Sequence, residues 1–455
     1  MRARRTGRLS TRAPERRPPA RTVAPRLQRR DSRGVYFFTE LTSSYDSWTR
    51  RTRHVRAAES AAAVAGEEME TIHKGKLMKQ TTKIAGLVGG MTLAIAGQQA
   101  MAQSSVTLWG VADVSLRYLS NSNAQNDGRV FMTNGAITNS RIGLHGSEDL
   151  GGGLKAIFNL ESGVNLQDGS FSDSKRIFNR AAYVGLSSQY GTVTLGRQKT
   201  VLFDLLSDTY DPLTVGNYLE NAWLPVALGA GLYTDNSVKY RGTFGGLTIG
   251  AMYSFGTDST SSTGAGGFSG QIPGHTGAGN MYGFSLSYVA GPVSVAAGVQ
   301  QNSDNSNRKQ TIYHANVVYA FSKAKIYAGY LHSKDDTGFV DSLLAQQPGL
   351  FTNGAPKRTG RIDDGPFAGV SWQATPALTL TGAFYYDRMR NATVANGQLD
   401  SGNRYTVVGL VEYALSKRTE IYGTVDFNKV NGAATVELPG RSNQTGVAIG
   451  LRNIF

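Results

Sequence analysis

"LTLTGAFYYD", residues 378–387, alternates with a period of two. Leu378, Leu380, Gly382, Phe384 and Tyr386 fall on one side of an extended chain; Thr379, Thr381, Ala383, Tyr385 and Asp387 fall on the other. "TEIYGTVDF", residues 419–427, repeats the rule: Ile421, Gly423, Val425 and Phe427 oppose Glu420, Tyr422, Thr424 and Asp426. "YTVVGLVEYAL", from Tyr405, sets Val407, Val411 and Tyr413 against Thr406 and Glu412. An apolar face with aromatic ends and a polar opposite face describe an antiparallel strand held between two unlike media.

Working outward, sixteen such segments follow one another: 105–118, 137–147, 153–165, 176–187, 191–198, 236–243, 247–255, 280–289, 293–301, 310–320, 324–333, 365–374, 377–388, 403–415, 418–428 and 443–455. Their connections alternate in length. The short ones, "DLGGG", "SQYG", "FGG", "AGP", "FSKA", "ATPA" and "LSKR", carry the Gly, Pro and Ser chemistry of tight turns. The long ones lie at 119–136, 166–175, 199–235, 256–279, 302–309, 334–364, 389–402 and 429–442. Lipid leaves no backbone group unpaired, so strands span a membrane only as a closed sheet. An even strand number puts both termini on one side, with short turns there and long loops outside. A barrel this large encloses water. The pattern predicts an all-β, 16-stranded antiparallel transmembrane barrel over residues 103–455. Outer-membrane lipid is its surroundings, and small hydrophilic solutes and ions are what it can pass. Trp109, Tyr118, Tyr183, Tyr253, Tyr319, Trp372 and Tyr413, near strand ends, are expected in the interfacial girdles. A soluble β-sandwich would also alternate, but without this short-long rhythm.

The segment ahead of the barrel has another character. "MKQTTKIAGLVGGMTLAIAGQQAMAQSS" begins at Met78 with Lys79 and Lys83, continues in an uncharged apolar run from Ile84 to Ala96, and ends in Ala100-Met101-Ala102. These are the three parts of a cleaved signal peptide, 78–102, with Gln103 as the first mature residue. Residues 1–77, rich in Arg, Pro and Ala, have no apolar period and read as a non-native or disordered extension. Residues 1–102 carry 20 of the 47 Lys and Arg and 8 of the 33 Asp and Glu, so 27 and 25 remain and the net +14 falls to +2. The basicity therefore argues for no nucleic-acid partner. With no Cys, disulfides and Cys metal sites are excluded.

The longest connection, 199–235, is functional by its length. It is also partly apolar: Val201, Leu202, Phe203, Leu205 and Leu206 form a helical turn's worth of side chains that need a wall to pack on. Folding inward would bury them and narrow the channel. No enzyme is expected. His145, His275, His314 and His332 stand in no triad or metal-ligand spacing, so no catalytic residue, metal or cofactor is assigned.

With the signal peptide, "SVTLWGVADVSLRY", "SRIGLHGSEDLGGGLKAIFNLE", "NRAAYVGLSSQYGTVTLGRQ", the long third loop and a terminal Phe, residues 78–455 resemble the Gram-negative outer-membrane general diffusion porins, the betaproteobacterial branch most closely. The resemblance implies a homotrimer of barrels, each its own pore, with the third loop folded into the lumen. It implies a constriction in which wall cations face loop carboxylates. By motif the wall residues are Arg141, Arg180 and Arg241, with Lys239 beside them; the loop residues are Asp204, Asp208, Asp211 and Glu220, of which Asp208 and Asp211 are the favoured pair and Asp204 has a structural alternative. Alternation places Arg141 inward opposite Ile142 and Leu144, Arg180 inward opposite Ala181 and Tyr183, and Lys239 and Arg241 inward opposite Val238 and Tyr240. A charge on the lipid face costs about 2–4 kcal/mol at the midplane. Arg197 falls on the outward parity and is expected at a contact between subunits. In "TGVAIGLRNIF", Val447, Ile449, Leu451 and Phe455 share the outward face, and Phe455 resembles the signal read by the outer-membrane assembly machinery. A substrate-specific channel, or an adhesin or receptor role of the external loops, is the alternative to general diffusion.

Overall fold

The computed structural model describes residues 105–214, 231–256, 274, 277–344, 360–394 and 398–455. The expected signal peptide and the stretch before it lie outside the described residues. The wall runs β1 (Ser105–Leu119), β3 (Arg141–Gly151), β4 (Leu154–Asn165), β6 (Ala181–Ser188), β7 (Gly191–Lys199), β8 (Tyr233–Phe244), β9 (Leu247–Ser254) and β10 (Met281–Ala290). It continues through β11 (Val293–Ser303), β12 (Lys309–Phe321), β13 (Ala324–Asp335), β14 (Arg361–Gln373), β15 (Leu378–Thr393), β16 (Leu399–Ala414), β17 (Thr419–Gly432) and β18 (Asn443–Ile454). Two further short strands, β2 (Arg129–Thr133) and β5 (Ser170–Phe171), sit within long connections and pair with β1 and β4.

Neighbouring wall strands are antiparallel, and β1 pairs with β18 from Val111↔Ile454 to Leu119↔Gly446, which closes the sheet. The sixteen-stranded barrel is therefore as the alternation predicts, with all seven short turns in place. Phe455 completes the seam. Gly110 N–H donates to its carbonyl at 3.0 Å, its own N–H donates to Gly110 O at 3.1 Å, and its ring covers Gly110 so closely that a Cβ there would lie 2.3 Å from Cζ.

Exposure separates the two faces. Phe384 is 44% exposed and Tyr385 0%; Val425 is 51% exposed and Asp426 1%. The exposed set is the lipid face, and the covered polar set looks inward. β14–β17 run about four residues further toward the long-loop end than the alternation predicts, from Arg361, to Thr393, from Leu399 and to Gly432. Beyond the hydrocarbon both faces of a strand meet polar surroundings, so the period-two signal ends while the hydrogen-bond ladder continues.

The connection after β7 folds inward. Thr200 caps α1 (Val201–Leu205), its hydroxyl accepting from Phe203 N–H at 3.2 Å, and a π-type turn, Leu206–Tyr210, follows. Leu202, Leu206 and Leu213 pack into one cluster with the inward Ile312, Leu331, Phe367 and Tyr385. Leu205 and Tyr210 join Ala296, Val318 and Tyr327. Backbone closeness makes room: a Cβ on Gly283 would lie 2.6 Å from Val201 Cγ2, and one on Gly369 2.6 Å from Pro212. Burying each large apolar side chain contributes about 1.5–3 kcal/mol, which holds a segment that hydrophobic pattern alone already marked as wall-seeking.

Candidate functional site: the constriction at the third loop

Thr200 also donates its hydroxyl to Gly231 O at 3.2 Å, while its N–H donates to Leu232 O, so the two ends of the loop are tied together at the wall. From there the inward face of β8 meets the helix. Lys239 Nζ donates to Asp204 Oδ2 at 2.7 Å and to Lys199 O at 3.0 Å. Lys199 Nζ reaches Ser207 Oγ at 3.2 Å and stands 5.3 Å from the Phe203 ring. Phe203 meets Tyr233 edge-on at 5.4 Å. At the far end Tyr385 O–H donates to Asp211 at 2.6 Å, and Tyr210 O–H to Val295 O at 3.0 Å. Burial pushes the Tyr210 phenol above its ordinary pKa. The loop is thus fastened across the lumen, from β8 on one side to β11 and β15 on the other.

Among the described residues, two sizeable open spaces lie between the loop and the wall of β1–β8. One, about 260 Å³, is bounded by Arg141, Glu161, Arg180 and Arg452 on the wall and by Lys199, Phe203, Ser207 and Thr214 on the loop side. Glu161 is the pivot there: Arg180 Nε donates to it at 2.5 Å and Arg141 Nε lies 3.6 Å away. The Arg180 guanidinium also stands over Tyr233 at 5.3 Å, and that of Arg141 over Trp109 at 5.8 Å. Arg452 is held by Glu420 at 2.6 Å and Glu412 at 3.5 Å. The other space, about 500 Å³, is lined by Tyr183, Gln198, Asp204, Lys239 and Arg241 among others. Arg241 is exposed and has no ion-pair partner among the described residues.

The sequence assignments fare unevenly in geometry. Arg141, Lys239 and Arg241 point inward by the stated parity, and Asp204 meets Lys239. Arg180 also reaches the lumen, but for another reason. Val184 and Leu186 are the lipid-facing residues of β6, and Tyr183 lines the pore. The strand begins at Ala181, so Arg180 precedes the alternation and turns inward from the loop. Trp109 likewise leaves the girdle and lies beside Arg141. Arg197 keeps its place opposite Ala182, in step with the lipid-facing Leu195, and the register slip beside it puts its extra residue in β8 between Thr234 and Ser237; its guanidinium pairs with Asp235 at 2.6 Å and donates to Asn179 O at 2.6 Å. Asp211 is 1% exposed and serves the tether to Tyr385. Asp208 has its backbone in the π-type turn; its side chain, and Glu220 altogether, lie outside the described residues. Glu161 and Arg452 were missed by motif reasoning. Both were accessible to the rule that a charge within a spanning strand faces the lumen.

A closed barrel with hydrated, charged openings beside an inserted loop defines a diffusion pore of the outer-membrane kind. Comparison with known proteins makes the class specific. Residues 90–433 match the Gram-negative porin family. The outer membrane porin protein 32 of Delftia acidovorans is 30% identical over 394 residues, 81% of this chain and 99% of its own. An outer membrane porin protein of Bordetella pertussis is 30% identical over 281 residues, 57% of this chain and 70% of its own. Among solved structures, the anion-selective porin from Comamonas acidovorans matches with a TM-score of 0.60 at 23% identity, over 78% of this chain and 100% of its own. The chain belongs to the Gram-negative porin family. It resides in the outer membrane and passes ions and small hydrophilic solutes by passive diffusion.

Proposed function

We propose that the pore favours anions and negatively charged solutes, and that Arg141, Arg180 and Arg241 on the wall, with Lys199 beside them, set this preference. The carrying observation is the sign of the lining. Among the described residues, the two openings present six basic side chains, Arg141, Arg180, Lys199, Lys239, Arg241 and Arg452, against Glu161 and Asp204. Glu412 and Glu420 neutralise Arg452 within the wall, which leaves the excess on Arg141, Arg180, Lys199 and Arg241. In a narrow aqueous passage between low-dielectric walls such an excess raises the local concentration of anions. Asp204 works chiefly as the partner that docks the loop, and Asp208 and Glu220 supply the remaining loop charge. The Comamonas structure to which the fold is similar is described as an anion-selective porin, which agrees with this reading.

The assembly is a homotrimer with one pore per chain, and the exposed Phe455 ring at the seam is the mark recognised by the outer-membrane assembly machinery. Planar-bilayer recording tests both the selectivity and the trimer. Conductance in groups of three equal steps, with a reversal potential of the anion-preferring sign in a salt gradient, is the expected record. Cation-preferring reversal refutes the proposed selectivity, and solitary steps refute the trimer.

A further inference from the structure

Of the three wall arginines at the constriction, Arg141 and Arg241 belong to β3 and β8, and the pleat of the strand aims them inward. Arg180 has no such support. It stands one residue ahead of β6, so its side chain is aimed only by what it meets. Glu161 supplies one hold: its carboxylate accepts from Arg180 Nε at 2.5 Å, and its carbonyl from the Arg180 N–H at 3.2 Å. The same carboxylate lies 3.6 Å from Arg141 Nε, so two guanidinium groups share it and repel each other across it. Arg141 has further fastenings, from Nη1 to Thr138 Oγ1 and to Asn139 O, both at 3.1 Å. A guanidinium bonded through one nitrogen can swing about that bond, and Arg180 needs a second hold to stay in the lumen.

That hold is an aromatic ring. Tyr233 opens β8 opposite Lys199, where the third loop rejoins the wall. The Arg180 guanidinium lies 5.3 Å from the centre of its ring, and that of Arg197 5.8 Å. Arg197 in turn donates from Nε to the carbonyl of Asn179, the residue before Arg180, at 2.6 Å. Tyr233 therefore meets both the Arg180 side chain and the group that fastens the backbone leading to it. Phe203 of α1 meets the ring edge-on at 5.4 Å, so the inserted helix buttresses it. The Tyr233 hydroxyl oxygen is buried and has no hydrogen-bond partner among the described residues; the ring itself, and not a hydrogen bond, carries these contacts. The negative face of an aromatic ring attracts a guanidinium enough for about a two- to fivefold preference for the held position. Tyr233 lines neither opening, so a passing solute meets the arginine and not the ring.

We infer that Tyr233 is a positioning residue for selectivity: its ring holds the Arg180 guanidinium in the lumen and, through Phe203, ties that arginine to the docking of the third loop. The inference rests on the anion preference proposed above and names a residue outside the pore lining that sets its size. A ring that merely fills space is the competing role. It predicts that an aliphatic side chain of similar volume serves as well, whereas a ring face that holds cations has no aliphatic substitute.

The test is the anion-over-cation permeability ratio, from reversal potentials in planar bilayers, for the parent, Tyr233→Phe, Tyr233→Leu, Tyr233→Met, Arg180→Gln and the double variant Tyr233→Leu with Arg180→Gln. Tyr233→Phe keeps the parental ratio, because the ring remains. Tyr233→Leu and Tyr233→Met lose most of what Arg180→Gln loses, and the double variant loses no more than Arg180→Gln alone. The heat-resistant barrel band stays parental in all of them, which certifies folding. A parental ratio in both aliphatic variants beside a shifted Arg180→Gln overturns the inference. So do additive losses in the double variant, or a Tyr233→Phe protein that shifts as far as Tyr233→Leu. Loss of the assembled barrel in both aliphatic variants makes Tyr233 purely structural and overturns it as well. A cation-preferring parent refutes the anion reading instead, and Tyr233 is then judged by whether Tyr233→Leu and Arg180→Gln still share one non-additive shift.

Discussion

Two charged regions on the inward face look alike in sequence and differ in surroundings. At the constriction Lys239 and Asp204 face each other with 13% and 16% of their side chains exposed, and Arg141 keeps 22%. At the outer end of β14–β16, Arg361 pairs with Asp363 at 2.7 Å, Asp341 at 3.0 Å and Glu437 at 3.4 Å, and each of these side chains is at most 4% exposed. Arg404 reaches the same Glu437 at 3.2 Å. Asp341 comes from the short helix α2 (Phe339–Leu344) and Glu437 from the turn Ala433–Glu437, so this second region latches two long connections onto the wall. Water decides the difference. Hydrated charges shape the field that a passing solute meets; buried ones hold structure and are costly to leave unpartnered.

Breaking the buried latch gives the largest expected effect. Arg361→Ala strands Asp363, Asp341 and Glu437 and lowers stability by about 3–5 kcal/mol, read as earlier loss of the heat-resistant barrel band on electrophoresis. A shape-preserving Arg361→Met is expected to cost nearly as much, since the carboxylates stay behind. Parental heat resistance in both would show that the latch does not hold the fold.

At the constriction the same kind of change acts on flow. Arg241→Glu reverses the charge of an exposed pore residue that has no ion-pair partner among the described residues, and the zero-current potential in a salt gradient moves measurably toward cations with little change in thermal behaviour. Lys239→Gln comes next. It removes the partner of Asp204 and the tie to Lys199 O, a loss of about 1–3 kcal/mol at a partly exposed charged bond, so current noise from loop motion rises while mean selectivity drops modestly. The smallest change is expected from Asp211→Asn, which still accepts from Tyr385; selectivity stays parental to within experimental error. A large selectivity shift in that variant would return Asp211 to the conducting path and blur the division between the two regions.

The barrel was legible in the sequence because lipid and water impose opposite demands on adjacent residues, as in Phe384 and Tyr385. The inward loop was legible because Leu202 and Leu206 need a wall. What escaped lies where that opposition lapses. Strands extended past the hydrocarbon at Arg361 and Thr393, where both faces are polar. Arg180 stands one residue ahead of its strand, and a register slip in β8 between Thr234 and Ser237 sets Asp235 against Arg197. Trp109 could have been placed by strict counting, since it shares a parity with Asp113, Ser115 and Arg117; its aromatic character suggested the girdle instead. Asp211 escaped for a different reason: a carboxylate in a pore loop gives no sign of whether it meets water or a tyrosine until the loop's path across the lumen is known.

The central claim, that an excess of wall cations beside the inserted loop governs a water-filled pore, is tested most directly by the reversal potential across a planar bilayer in a tenfold salt gradient. The parent protein is expected to reverse at a potential of the anion-preferring sign, and the Arg141→Gln, Arg180→Gln, Arg241→Gln triple variant close to zero. A cation-preferring parent, or a triple variant with the parental potential, would contradict it.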